Sequence, residues 1–189
     1  IRDRFTFTTS CAAAPAPYLE NFDLGFPVCW TQATTDDANW TLDANGTPSS
    51  STGPSDDLTG GGNYMYIETS SGSSGYTYEM HTQAIDLSSL SSPELRFYSH
   101  MYGSSMGTLN VDASTDNGVT WTNIWTLSGD QGNQWNEATI DLSTYTSQIS
   151  LRIQGVTGTS FTSDMAIDLI RIGKAPVLGC TDPNASNYD

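Results

Sequence analysis

Short runs of alternating apolar and polar residues recur along this chain, separated by Gly, Ser, Asn and Asp. The stretch GTLNVDAST (107–115) places Leu109, Val111 and Ala113 on one face and Asn110, Asp112 and Ser114 on the other. QISLRIQG (148–155) repeats the pattern with Ile149, Leu151 and Ile153, and PELRFYSHMYG (93–103) sets Leu95, Phe97 and Met101 against Arg96, Tyr98, His100 and Tyr102. A period of two over a few residues is the signature of a half-buried β-strand. No segment sustains a helical stripe over ten residues. Several short strands with turn-rich joints predict an all-β fold, a jelly-roll sandwich of two antiparallel sheets that buries one face of each.

Two segments break the pattern. Residues 36–63, DDANWTLDANGTPSSSTGPSDDLTGGGN, read as loop with a brief strand around Trp40 and Leu42. A loop of that length in a compact domain is functional or is pinned by something. Its acids, Asp36, Asp37, Asp43, Asp56 and Asp57, make a metal ion a natural pin. The second is SDMAIDLIRI (163–172), an apolar strand with a carboxylate, Asp168, in its middle. A buried carboxylate needs a cation or strong hydrogen bonds. Lys and Arg total six against twenty-one Asp and Glu, so most acids have no basic partner to find. Either Asp168 points to water from an edge strand, where it would share a face with Ala166, Ile170 and Ile172, or it holds a cation.

Composition narrows the function. A net charge of −15 argues against nucleic-acid binding, which needs clustered Lys and Arg, and disfavours anionic membranes. No run of eighteen apolar residues is present to insert into a bilayer. Charged residues are only 14% of a chain rich in Ser, Thr, Gly and Asn, a composition typical of extracellular β-proteins. Cys11, Cys29 and Cys180 lack zinc-site spacing, and their odd number suggests a partner beyond the fragment. Ile1 suggests excision from a longer precursor.

Several motifs carry chemistry or its appearance. STDNGVTW (114–121) fits the Asp box, a hairpin turn that is structural and not catalytic. GSSMG (103–107) has the G-x-S-x-G form around Ser105, but a strand, not a helix, follows it, and only His81 and His100 could serve as base. The sequons at Asn39, Asn45 and Asn184 read as chance occurrences in a bacterial setting. Tyr76, Tyr78, Tyr98 and Tyr102, with Trp125, are the candidate aromatic residues for a ligand-binding face, since sugar sites stack rings on pyranoses. The competing reading makes these tyrosines mere borders of the sandwich. Trp30, Trp40 and Trp135 read as core.

From about Asn21 to Lys174 the chain resembles the MAM domain family, named from meprin, A5 antigen and a receptor phosphatase. The resemblance rests on NFDLGFPVCW, DDANW, SDDLTGGGNYMYIET, LRFYSHMYGSSMGTLNV, IWTLSGDQGNQWNEATIDL and DMAIDLIRI, in that order. It implies a jelly-roll sandwich, a role in extracellular adhesion and recognition rather than catalysis, and a calcium ion at Asp23, Asp57 and Asp168. Asp37 and Asp56 are candidate additional ligands, and Asn63 could add a carbonyl. The AIDLI segment carries one acid where the family often has two. Cys11 stands well upstream of the family's usual first cysteine, so a Cys11–Cys29 bridge and a free, buried Cys29 both remain open.

The expected organisation is the end of a fibronectin type III-like module and a Pro/Ala linker over residues 1–17, the sandwich over 18–174, and a linker with a truncated thrombospondin type 3-like repeat over 175–189. The expected function is a calcium-stabilised, non-catalytic recognition module of a secreted or cell-surface bacterial protein, binding a polysaccharide. The alternative is a protein-binding or cell-adhesion module, with self-association as one form of it; a hydrolase ranks third.

Overall fold

The computed structural model describes residues 11–70 and 74–175. Among the described residues there are thirteen strands: β1 (Ala14–Pro15), β2 (Tyr18–Glu20), β3 (Thr31–Gln32), β4 (Thr41–Asp43), β5 (Tyr64–Ile67), β6 (Thr77–His81), β7 (Ile85–Asp86), β8 (Pro93–Met101), β9 (Thr108–Ser114), β10 (Thr122–Ser128), β11 (Trp135–Asp141), β12 (Gln148–Val156) and β13 (Met165–Lys174). There is no helix among the described residues. In the first sheet β10, β9, β12, β6 and β3 lie side by side, with β7 and β1 continuing beside the start of β12. In the second the order is β11, β8, β13, β5, β4, and β2 pairs with the far end of β13. The chain crosses between sheets from β8 to β9, β10 to β11, β11 to β12 and β12 to β13, which makes the sandwich a jelly roll.

The alternating residues behave as period two dictates. Leu109, Val111, Ala113, Ile149, Leu151, Ile153, Leu95, Phe97 and Met101 all lie in the buried cluster between the sheets. One pair departs from antiparallel order: β1 runs parallel to β7, and Ala16 beyond it is buried. The Pro/Ala stretch expected to be a linker up to residue 17 is therefore part of the sandwich. Of the flanking parts expected over residues 1–17 and 175–189, residues 1–10 and 176–189, with Cys180 and Asn184, lie outside the described residues.

Around β5 and the start of β13 the second sheet is covered on both sides. In β5, Met65 and Ile67 belong to the core between the sheets, while Tyr64 and Tyr66 form a separate cluster with Ala166 and the half-buried Trp135 on the opposite face. The long loop after β4 roofs that cluster. Tyr64 Oη donates to the carbonyl of Asn45, and Trp135 Nε1 donates to the carbonyl of Asp56 at 3.2 Å. This is why YMYI is buried at all four positions instead of alternating.

A bulge in β13 sets the direction of Asp168. Pairing with β8 shifts register between Asp168 and Arg171, and Leu169 takes φ of 48°. Met165 and Ile167 face the core before the bulge, Ile170 and Ile172 after it, so parity reverses there. Asp168 thus shares a face with Ala166 alone, not with Ile170 and Ile172, and it is buried beneath the loop rather than turned to water. At the same point β13 exchanges one partner, β5, for another, β2.

Gly155 interrupts the alternation of β12 for a packing reason. A Cβ there would overlap Ile67 Cδ1 and stand 2.9 Å from Met165 Sδ and 3.4 Å from Trp40 Cζ2. The opposite sheet packs against bare backbone. Gly155→Val is expected to destabilise the fold by about 1–3 kcal/mol through overpacking, read as a lower urea midpoint; an unchanged midpoint would contradict this packing.

Candidate functional site

Three acids from distant stretches meet where the long loop lands on β13. Phe22 is fully buried with φ of 59°, its ring edge-on to Trp30 at 5.7 Å, and its amide donates to Glu20 Oε1 at 2.8 Å. That fixed turn presents Asp23 to the loop. Asp23 Oδ1 accepts the amide of Asn63 at 3.0 Å, and Asn63 Nδ2 donates to the Asp23 carbonyl at 3.1 Å. Asp57 Oδ2 accepts the amide and hydroxyl of Thr59 at 2.9 and 2.6 Å, and its Oδ1 accepts the amide of Gly61 at 2.6 Å. Asp168 Oδ2 accepts the amide of Leu58 at 3.1 Å, and its Oδ1 accepts the amide of Leu169 at 2.6 Å.

Glycine at position 62 leaves a cradle between two of these acids. A Cβ there would overlap Asp23 Oδ1 and stand 2.9 Å from Asp57 Oδ2. Burial, followed by the charges of Asp57 and Asp23, pushes the Asp168 pKa up to about 6 against the pull of the Leu58 and Leu169 amides. Burial acts in the same direction on Asp57, but hydrogen bonds from Thr59, Gly62 and Gly61 outweigh it and hold that carboxyl well below the usual range. Among the described residues the ion pairs involve Glu79, Glu94, Asp112 and Glu137, and none reaches these three acids.

The outer face of the first sheet carries a second constellation, invisible as a motif because its members lie far apart in sequence. Thr126 Oγ1 donates to Asn110 Oδ1 at 2.8 Å, Asn110 Nδ2 to Gln154 Oε1 at 3.2 Å, and Gln154 Nε2 to Glu79 Oε1 at 2.6 Å. A parallel row runs beside it. Asn123 Nδ2 and Arg152 Nε each donate to Asp112 at 2.9 Å, and Arg152 reaches Glu79 at 3.6 Å. The two rows cross β10, β9, β12 and β6. At one end the Arg152 guanidinium lies 5.1 Å from the centre of the Trp121 ring, which also meets the His81 ring at 5.1 Å.

The hairpin turn before β10 aims that tryptophan. Asn117 and Gly118 have φ of 58° and 83°, and Asp116 accepts from Thr120 N, Thr120 Oγ1 and Ser114 Oγ. Those bonds, chiefly from the Thr120 side chain, pull the Asp116 carboxyl down to about 2. Trp121 packs under Gly118, so the turn is structural, as the Asp-box pattern implies.

The family model for the MAM domain, meprin/A5/mu, matches residues 21–177. The chain belongs to the MAM domain family. A human relative, MAM domain-containing glycosylphosphatidylinositol anchor protein 1, is 35% identical over 169 residues, covering 82% of this chain and 17% of that protein. The chain thus spans about a sixth of the length of the curated relatives it matches. Among solved structures, the K1 cleaved adhesin domain of Lys-gingipain from Porphyromonas gingivalis W83 superposes with a TM-score of 0.60 at 17% identity, covering 84% of this chain and 98% of that one. TmCBM61, solved with β-1,4-galactotriose, gives 0.55 at 13% identity, covering 82% and 94%. At those identities the structures show a shared sandwich fold.

Within this MAM domain the other singled-out residues are dispersed. Asn63 sits at the acid cluster, bonded to Asp23. Asp56 caps the loop, its Oδ1 accepting the amide of Asp57 at 2.9 Å. Asp37 lies elsewhere: its carboxylate takes the amide of Thr77 at 2.8 Å, while Asp36 takes that of Glu79 at 2.6 Å, so both cap the edge of β6. As they stand, Asp23, Asp57 and Asp168 turn their oxygens to loop amides, and among the described residues no three acidic, His or Cys side chains close a metal-ligand set. Their chemistry still suits a hard cation: oxygen donors only, two of the carboxylates buried, a cradle at Gly62 and no base.

The aromatic candidates form no single face. Tyr78 is buried in the core beside Met80, and Trp125 packs edge-on against Phe97 at 5.1 Å, so both serve packing. Tyr98 and Tyr102 belong to the second sheet's side, Tyr102 beside the loop, whereas Tyr76 is exposed at the start of β6 in the first sheet. The sequence reading missed Trp121, whose Asp-box role hid its position. His100 is buried, its Nε2 3.0 Å from Asn133 Oδ1, and burial lowers its pKa; Ser105 lies in a turn between two strands. Cys11 and Cys29 are disulfide-bonded, with 5.8 Å between their Cα atoms.

Proposed function

We propose that this MAM domain is a non-catalytic recognition module of a secreted or cell-surface protein. It binds a neutral polysaccharide across the outer face of the first sheet. The observation that carries the reading is the pair of polar rows ending at Trp121. Planar amide, guanidinium and carboxylate groups that brace one another are preorganised, so little side-chain freedom is lost when hydroxyls replace water. An adjacent indole offers the apolar surface on which a pyranose stacks. The excess of negative charge disfavours sulfated or uronic polymers and favours neutral ones. The sandwich neighbour solved with β-1,4-galactotriose supports the ligand class.

Calcium is the proposed fastener of the loop. Asp23, Asp57 and Asp168 would hold it, with Asn63 as a further oxygen source. The ion would supply the positive charge that this buried set lacks.

Affinity electrophoresis through gels of several neutral polysaccharides tests the binding reading. Retardation is expected in at least one gel, and Arg152→Ala or Gln154→Ala should weaken it about tenfold, equivalent to ~1.4 kcal/mol. Equal mobility in every gel would sink the proposal. A second reading, a protein-binding or adhesion module, has one observation in its favour. Leu24 and Val28 are fully exposed at an apolar cleft of about 410 Å³ that Leu19 and Phe26 also line. Sedimentation at rising protein concentration distinguishes it by self-association.

A further inference from the structure

Two carboxyl oxygens away from the Asp23 cluster are buried with no hydrogen-bond partner among the described residues: Asp164 Oδ2 and Glu68 Oε2. Asp164 immediately precedes β13 and is 0% exposed. Its other oxygen accepts the amide and hydroxyl of Thr69 at 3.0 and 2.7 Å. Glu68 immediately follows β5, and its Oε1 accepts the amide of Ser70 at 2.8 Å and the hydroxyl of Ser49 at 3.2 Å. Each acid is thus gripped by one oxygen while the other is left bare.

The surroundings are rich in oxygen and poor in positive charge. Ser49 and Ser70 hydroxyls touch at 2.5 Å, and Thr52 Oγ1 accepts the amide of Asp164 at 2.9 Å. The Thr47 hydroxyl donates to the Thr52 carbonyl at 3.4 Å. Glu68 adds its charge to the burial that raises the Asp164 pKa. Burial, then Glu68, Asp43 and Asp164, pushes the Tyr66 hydroxyl up to about 12. No ion pair among the described residues involves Glu68, Asp164 or Asp43.

A bare, buried carboxylate oxygen carries a large desolvation penalty. One proton shared by the two acids would still leave a net negative charge on the buried pair. A divalent cation neutralises both and accepts hydroxyl and carbonyl oxygens as further ligands. We propose that Asp164 and Glu68 hold a calcium-type cation beneath residues 47–54. This site is separate from the cluster around Asp168, which lies four residues further along the chain, about 13 Å in an extended strand. The loop then has two fasteners, one at each end of its irregular stretch. This inference does not depend on the first site being real.

Equilibrium dialysis of the full chain against calcium alone tests it. Wild type is expected to bind two ions per chain, Glu68→Gln one, and Asp23→Asn one. Glu68 is only half-buried and Gln keeps its size, so folding is expected to survive, checked by circular dichroism; Asp164→Asn is the companion variant. If Glu68→Gln binds as many ions as wild type, the proposal is overturned, and that is also the outcome for a shared proton. A wild type that binds one ion, lost in Glu68→Gln but kept in Asp23→Asn, upholds this site and removes the first.

Discussion

The calcium-free protein is expected to become more stable, by about 2 kcal/mol, as the pH falls from 7.5 to 4.5. The source is Asp168, whose carboxyl is raised to about 6 in the fold and reverts to an ordinary value near 3.8 on unfolding. Between those values the folded state holds the proton more tightly. Its contribution is therefore complete below the unfolded value and is lost as the pH rises through about 6. Asp164, raised by burial, acts in the same direction. Depressed carboxyls oppose them only at lower pH, because Asp57 and Asp116 lose their stabilising ionisation well under 4.

Calcium should reverse the sign of the trend. The ion needs the ionised carboxylates that protons remove, so the gain in melting temperature on adding calcium should be large at pH 7.5 and small at 4.5. Relief of general repulsion at −15 also favours mild acid. Urea titrations of Asp168→Asn beside wild type isolate the specific part. If the two calcium-free proteins show the same pH slope, the buried-carboxylate account is wrong.

Loss of the disulfide is the other large effect. Replacing Cys11 and Cys29 together by alanine is expected to destabilise the protein by about 3 kcal/mol, the chain-entropy value for a loop of this size, where the cysteines are 18 residues apart. The local consequence is as informative as the global one. Cys11 leads into β1, whose backbone is held to β7 by Ala14 N and Ala16 N at 2.8 and 3.0 Å. With the bond gone, limited proteolysis should cut residues 12–17 first. An unchanged urea midpoint together with resistance to cleavage would show that β-pairing alone secures this segment.

Particular residues show where sequence reading succeeded and where it stopped. Leu109, Val111 and Ala113 were legible as core because each side of a strand can be read from neighbours two positions away. Tyr78 was equally legible, since it shares parity with the buried Met80, yet its aromatic character suggested a ligand face. Asp168 was not legible. Its direction depends on a bulge at Leu169 and on a loop arriving from residues 57–63, and period two carries no information about either. Asp37 was grouped with the other loop acids by proximity in sequence, whereas the fold carries it to the edge of β6.

By itself the sequence determined the alternating strands β8, β9 and β12 with the core faces they present, the family, and the deficit of positive charge that makes buried acids a problem to be solved. Those properties are local or compositional, so a linear reading recovers them. The tertiary structure alone decided which acids share an environment, that Cys11 meets Cys29, and that Arg152 lies between Asp112, Glu79 and Trp121. Each of those results joins residues far apart in the chain, brought together by strands whose order in the sheet differs from their order in the chain. Pairing across a jelly roll is fixed by how two sheets close on one core, and no spacing along the sequence encodes it.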